Sequence, residues 1–478
     1  MPKDPLATAY KSTVLCAMGT MLPRAVTFLM LPIVTPFLTP DDYGIFTSVM
    51  VVVAFFSIFA SLRIEGSIQR CIYDYKSTSE KRSFVGTLMT SIIALHIVAL
   101  TIATTLYTLP ERIFPDLNFW PFVAIGLIHT TFMCFVTIVQ TTFQITDKPW
   151  RFFTSGLTLS GLTIFGVYMG VVHYQKGVLG MLLGPLIATV ITTPLVLVLA
   201  RNNYSLCWNP KYFKNAFRFG LPLIPLLLTG FLLTSLDRIL LGQLSGNETL
   251  GYYGLALRVA SITLLLGTTV RSALQPFVFK LALEKAPGAE QMTGKSCQSI
   301  LYAFALASSA VIMFTPEAFR FFIDEKFLQA APLVIWLVIG NLCLINADIL
   351  SLGVLLKKKH HWFWVIALVC AGINILLNLA WIPQQGAMGA AKATALTAAL
   401  VMIARYVLNQ RTWAIDFRMP VTMTLSTLSI LLAWTLANTS LPTAPSVLAK
   451  TLALIAVAAL FYKVARPLSV DTPSPSPH

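Results

Sequence analysis

The chain has 478 residues, of which 56% are apolar and only 11% charged, and its net charge is +15. A soluble domain carries about 25% charged residues, so the composition excludes a water-soluble enzyme and leaves a polytopic membrane protein. At about 20 apolar residues per spanning helix, fourteen helices use roughly 280 residues, which leaves little for an extramembrane domain.

Apolar runs predict spans over 12–38, 43–63, 83–106, 119–143, 152–172, 178–200, 216–241, 250–278, 298–319, 330–356, 361–382, 386–408, 418–438 and 446–464. Helices are required because a bilayer core supplies no partner for an open backbone group. Barrel strands would be shorter and would alternate apolar with polar residues. The first run holds Arg24 and three prolines, Pro23, Pro32 and Pro36. It is too long for the apolar core of a signal peptide, and no cleavable signal is expected. The seven cysteines form no CxxC pair and read as packing residues, so neither a metal site nor a cofactor is expected.

Charge placement tests this division. With the N-terminus in the cytoplasm, 24 of the 34 Lys and Arg fall in segments on the cytoplasmic side and four on the other: Arg112, Lys176, Arg320 and Lys326. That asymmetry follows the positive-inside rule and predicts both termini inside. It also absorbs most of the net charge without nucleic acid. The tail 467–478, with its Ser-Pro repeats, is expected to be a disordered cytoplasmic end.

An internal repeat is present. Span 2 opens Tyr43-Gly44-Ile45-Phe46 and span 8 opens Leu250-Gly251-Tyr252-Tyr253, each after a short polar turn. Span 6 opens Gly177-Val178-Leu179-Gly180 and span 12 opens Gly386-Ala387-Met388-Gly389. The offsets are 207 and 209 residues. Six spans per repeat insert both copies in one orientation, with their axis along the membrane normal. The expected division is an N-lobe over 1–202, a C-lobe over 203–411 and an appended helix pair over 412–466.

The runs Phe219-Gly220-Leu221-Pro222-Leu223-Ile224-Pro225, Ser235-Leu236-Asp237-Arg238-Ile239-Leu240-Leu241, Leu38-Thr39-Pro40-Asp41-Asp42-Tyr43-Gly44, Asn374-Ile375-Leu376-Leu377-Asn378 and Gly386-Ala387-Met388-Gly389-Ala390-Ala391 carry a resemblance. Together they resemble the polysaccharide flippase branch of the multidrug/oligosaccharidyl-lipid/polysaccharide exporter superfamily, over about 10–465. The resemblance implies an all-α exporter with two six-helix lobes, set in the bacterial inner membrane. It would move undecaprenyl-pyrophosphate-linked oligosaccharides, with membrane lipids and, in the same pathway, a polysaccharide polymerase and a chain-length regulator as partners. Lys392 departs from the family pattern, which is apolar or small there.

Charged groups inside a bilayer are costly and tend to face a wet cavity or one another. Arg24, Arg238, Arg258, Arg271 and Lys392 are basic, against Asp237 and Asp348. Such an interior suits an anionic cargo, because a guanidinium fork matches phosphate oxygens. Arg24, Arg258 and Lys392 are the candidates for lining the cavity. Arg63 and Arg271, which end equivalent spans, are candidates for capturing pyrophosphate at the inner mouth; snorkelling accounts for them equally. Asp237 and Arg238, about 100° apart on a helix, are expected to find separate partners. Asp348 reads as the counter-ion of an Arg, with a coupling-ion site as the alternative. His96 and His129 read as packing residues.

Other functions fit less well. A drug antiporter of this fold would need intramembrane carboxylates for cationic cargo. A flippase for lipid II, the peptidoglycan precursor, would also have fourteen spans and cavity arginines. A glycan polymerase or ligase would need a substantial outer loop with an acid/base pair; the outer loops near 106–119 and 319–330 are short.

Overall fold

A computed structural model describes residues 15, 18–19, 28–114, 117–146, 148–283, 289–357, 361–413, 415, 417–439 and 443–465, with backbone alone at 268–277, 279–283, 289, 443–444 and 465. Every regular element among these residues is helical. Among the described residues, twelve helices are long and apolar enough to cross a membrane. One of them, a 58-residue helical stretch over Pro210–Gly267, contains the seventh expected span and most of the eighth. Gly246, at φ 78°, breaks it between them. About half of the first expected span lies outside the described residues, and its end is a short helix Leu31–Val34 followed by a turn Thr35–Phe37. The tail 467–478 also lies outside them.

The helices begin where local chemistry satisfies their free N–H groups. Helix α1, Pro40–Ser61, starts with a capping box. The Thr39 hydroxyl accepts from the Asp42 N–H at 3.1 Å, and the Asp42 carboxylate accepts from the Thr39 N–H at 3.0 Å. Helix α2, Thr78–Thr105, repeats the device with Ser77 and Glu80. Such caps contribute about 1 kcal/mol each. The outward faces stay apolar, as Ile93, Ile97, Val98 and Ile102 show along α2. A stripe of that kind would be a liability in water and is what lipid tails require.

The chain divides into two compact units by contact. The first comprises 1–258, 322–330 and 367–393. Two of its helices, Pro149–Val167 with its extension to His173, and Gly177–Leu199, cross through small residues. A side-chain carbon at Gly170 would lie 2.7 Å from the Gly180 backbone, and one at Gly166 would lie 2.9 Å from Gly184. Each helix therefore presents a GxxxG face, and the backbones meet without intervening side chains.

The repeated openings also meet in this unit. A carbon added at Gly44 would fall 1.9 Å from the Asn247 carbonyl, and one at Gly251 would fall 1.8 Å from that of Pro40. Only hydrogen fits at either place. Gly177 abuts Asp42 and Gly386 abuts Thr249, both at positive φ. Asp42 and Thr249 are 207 residues apart, so the two halves repeat a contact as well as a motif.

The second unit comprises 259–321, 331–366 and 394–478. Its spine is the helix Ala289–Phe322, longer than the expected span 298–319. The appended helices Met419–Ala437 and Thr443–Ala465 pack on it. Tyr302 stacks on Phe461 at 4.8 Å, Gln298 donates to the Thr422 hydroxyl, and Ser309 donates to that of Ser429.

The seventh span differs from expectation at its start. Residues 210–220 form a separate amphipathic helix, Pro210–Gly220, with Lys211, Lys214 and Arg218 beside Tyr212, Phe213 and Phe217. The spanning segment begins only at Ile224. The apolar run that set the expected start at 216 took in the end of the short helix because Phe217 and Phe219 count as apolar.

Candidate functional site

The candidate cations fall into different surroundings. Arg258 lies in the first unit with its guanidinium 5.4 Å from the Phe46 ring centre and 5.9 Å from that of Tyr43. Both rings belong to the repeated opening of α1. Phe327 lies edge-on to Tyr43 at 6.0 Å and to Tyr252 at 6.5 Å. Lys326 donates to the Pro36 carbonyl at 3.1 Å. This end of the first unit is thus packed with aromatic rings around one guanidinium, an arrangement that stabilises a cation away from water.

Lys392 sits on the helix Ala387–Thr412 and reaches the Gln385 side-chain oxygen at 2.6 Å. Its long stem carries the charge back toward the helix start. Asn374 and Asn378, the paired amides of the family-like motif, are buried on the helix His361–Gln385. Asn378 donates to the Asn374 side-chain oxygen at 2.9 Å, and its own oxygen is buried without a hydrogen-bond partner.

Arg63 ends the first described span in an unusual way. Leu62 and Arg63 both take left-handed backbone angles, φ 45° and 58°. Residues with a Cβ rarely adopt that region, and two in succession mark a strained break. The break turns the chain so that Arg63, half exposed, lies 3.4 Å from Glu65. Burial raises the pKa of the Glu65 carboxyl above its ordinary value, against a smaller pull from Arg63. Arg24 lies outside the described residues, and Arg271 is described only by its helical backbone.

Asp237 and Arg238 depart in part from expectation. Their side chains come within 3.9 Å of each other, so neighbours on a helix make a loose ion pair after all. The stronger partners lie elsewhere. The Tyr253 hydroxyl donates to Asp237, and Arg238 donates to the Ser235 hydroxyl at 2.9 Å and to the Thr234 carbonyl. The flexible Arg stem can fold back although the two Cβ directions diverge.

In the second unit, Asp348 is 2.5 Å from Arg405, whose guanidinium also covers the Phe363 ring at 4.7 Å. The charge count had placed Arg405 with the cytoplasmic loops. It lies three residues inside its expected span, near enough to the end to pass for a loop residue. A second pair escaped the sequence reading: Lys450, buried, is 2.6 Å from Glu317. Glu317 stands two residues from the end of its expected span, so Asp348 is not the only acid there besides Asp237. The available signal was Lys450 itself, a buried cation in need of a counter-ion.

His96 accepts or donates locally, 3.0 Å from the Ile92 carbonyl, with the Cys134 thiol 3.7 Å away. Among the described residues, no cluster of His, Cys, Asp and Glu could hold a metal ion. Trp120, Trp150, Trp208, Trp362 and Trp364 are all exposed at helix ends, as an interfacial belt requires.

Comparison with known proteins places this architecture. Residues 9–282 match the model of the family described as polysaccharide biosynthesis protein. The chain belongs to that family. A relative, protein 1 of the Lsg locus of Haemophilus influenzae, is 24% identical over 294 residues, 59% of this chain and 69% of the relative. Among solved structures, the lipid II flippase MurJ in an inward closed conformation matches with a TM-score of 0.74 at 15% identity, covering 94% of this chain and 99% of that one. An inward-facing multidrug resistance MATE family transporter of the MOP superfamily matches at 0.63 and 14% identity, covering 86% and 99%. The fold is therefore that of the MOP superfamily, whose polysaccharide branch the sequence motifs resembled. Both of these solved structures are of transporters.

Proposed function

We propose that the protein is a flippase that moves an undecaprenyl-pyrophosphate-linked oligosaccharide, such as an O-antigen or other surface-polysaccharide repeat unit, across the bacterial inner membrane by alternating access. The observation that carries this reading is membership of the polysaccharide biosynthesis family over more than half the chain. The fold shared with a lipid II flippase supports it. The cargo is a doubly charged anion on a lipid, and the intramembrane charges are mostly basic.

In this reading two six-helix lobes rock about the repeat axis while both termini stay in the cytoplasm. Arg63 and Arg271 meet the pyrophosphate at the inner mouth. Arg24, Arg258 and Lys392 hold it within the cavity, and the polyprenyl tail stays in lipid. Arg258, seated on the rings of Tyr43 and Phe46, is placed to exchange aromatic faces for phosphate oxygens when the packed end opens. Asp237, Arg238 and Asp348 hold helices in place. The chain itself carries no nucleotide motif, so the energy comes from an ion gradient, the membrane potential or product removal.

The test is to delete the gene and identify the lipid-linked glycan that accumulates on the cytoplasmic leaflet. Complementation with Arg24→Ala, Arg258→Ala and Lys392→Ala combined should give normally inserted protein and at least a tenfold loss of surface glycan. Normal export by that variant would sink the assignment of these residues. Lysis on depletion would favour a lipid II flippase, and raised drug sensitivity would favour a multidrug antiporter.

A further inference from the structure

Away from these residues, the first unit holds a cavity of about 300 Å³ where four segments converge. Its walls come from Tyr73 after the α1 break, Lys81 and Arg82 near the start of α2, Thr146 and Lys148 between two helices, and Asn203 beyond the sixth expected span. Three cations share this space. Among the described residues that line it there is no carboxylate. Two acids described on the same segments are occupied: Asp74 is 2.8 Å from the exposed Arg70, and Glu80 caps the Ser77 N–H at 3.1 Å.

The walls are pinned by hydrogen bonds among neutral groups and one of the cations. Lys148 donates to the Asn203 side-chain oxygen at 3.1 Å, and the Asn203 amide donates to the Thr146 hydroxyl at 3.3 Å. The Arg82 carbonyl accepts from the Ser205 N–H at 3.1 Å, which fixes the backbone there. The Arg82 Nε–H, by contrast, is buried without a hydrogen-bond partner. A buried donor in that state is rare, and a bound acceptor would satisfy it. Like charges gathered around one space favour an anion.

The surroundings identify the source of that anion. Tyr73 is 65% exposed, and Trp150, two residues past Lys148, is 62% exposed and tilted against Phe153. Amphipathic rings exposed beside apolar helix ends sit at the level of lipid headgroups, and basic pockets between spanning helices take phosphate headgroups there.

We propose that this cavity binds the headgroup phosphate of an anionic phospholipid, with the Arg82 fork and the Lys81 and Lys148 ammonium groups on its oxygens and Tyr73 at the interface. The site is separate from the residues assigned to export and does not depend on that assignment. The test is native mass spectrometry of the purified full chain titrated with phosphatidylglycerol, phosphatidylcholine or inorganic phosphate. Wild type should retain phosphatidylglycerol at least tenfold better than phosphatidylcholine, and millimolar inorganic phosphate should not displace it. The combined Lys81→Gln, Arg82→Gln, Lys148→Gln variant should lose that preference. The charge-preserving Lys81→Arg, Arg82→Lys, Lys148→Arg variant should keep most of it, and graded losses in the three single Gln variants stand in if the combined one fails to fold. Equal retention of the two lipids by wild type, an unchanged preference in the Gln variants, or displacement by phosphate alone would overturn the proposal.

Discussion

Two groups of cations in this protein sit in opposite surroundings. In the second unit, Lys450 is almost fully buried and Glu317 nearly so, and they are in direct contact; Arg405 is likewise seated on Asp348. In the first unit, Lys81, Arg82 and Lys148 crowd one open cavity whose described lining offers amides, hydroxyls and a ring. A buried charge with its counter-ion holds a structure together, since removing either partner leaves the other stranded in low dielectric. A cluster that reaches water, with no carboxylate among its described lining, adds little to the fold and is available to a ligand. The same basic residue type thus has two roles, and the neighbour decides which.

The sharpest way to break this contrast is to remove one cation from each group. Lys450→Met strands Glu317 and should cost about 3–5 kcal/mol, with Glu317→Leu alone costing a similar amount and the double variant much less. Thermal unfolding of the detergent-purified variants in a double-mutant cycle reads the coupling directly. If the double variant is as unstable as the singles combined, the pair is not what holds the appended helix in place. Next in size is Gly44→Ala, which pushes a methyl into the Asn247 carbonyl. Overpacking of that kind costs about 1–3 kcal/mol. Gly161→Ala, where nothing lies within 4 Å, is the matched control and should be neutral or stabilising.

Arg82→Gln should change stability by no more than about 0.5 kcal/mol, because it removes a buried donor that has no partner and relieves repulsion from Lys81 and Lys148. A loss as large as that of Lys450→Met would erase the distinction between the two groups. The smallest effect concerns Glu65, whose pKa in the fold is raised by burial. The native state then binds more protons than the unfolded chain as pH rises from 4.5 toward the raised value. Its contribution to stability therefore falls with increasing pH across that window. Glu65→Gln should flatten that part of the pH–stability curve; an unchanged slope would assign it to another group.

Much of the fold was legible in the residues. The spans, the repeat and the appended pair follow from hydropathy and from motifs at a near-constant offset. The candidate site was legible only as an inventory of intramembrane charges. Arg405 and Glu317 were missed because both stand within three residues of a span end, where hydropathy cannot separate a buried charge from a loop charge. The amphipathic helix 210–220 was missed because a window average discards the direction of each side chain.

What the sequence determined by itself is what depends on neighbours along the chain: helix against loop, number of spans, charge asymmetry between loops and family membership. What only the tertiary structure decided is pairing. Glu317 and Lys450 are 133 residues apart, and Lys81 and Lys148 reach one cavity from a helix and from a loop. Electrostatic energy depends on distance in space and on the dielectric between two groups. Neither quantity is written in the order of the residues, so only the folded chain shows which cations are spent on structure and which remain available to bind.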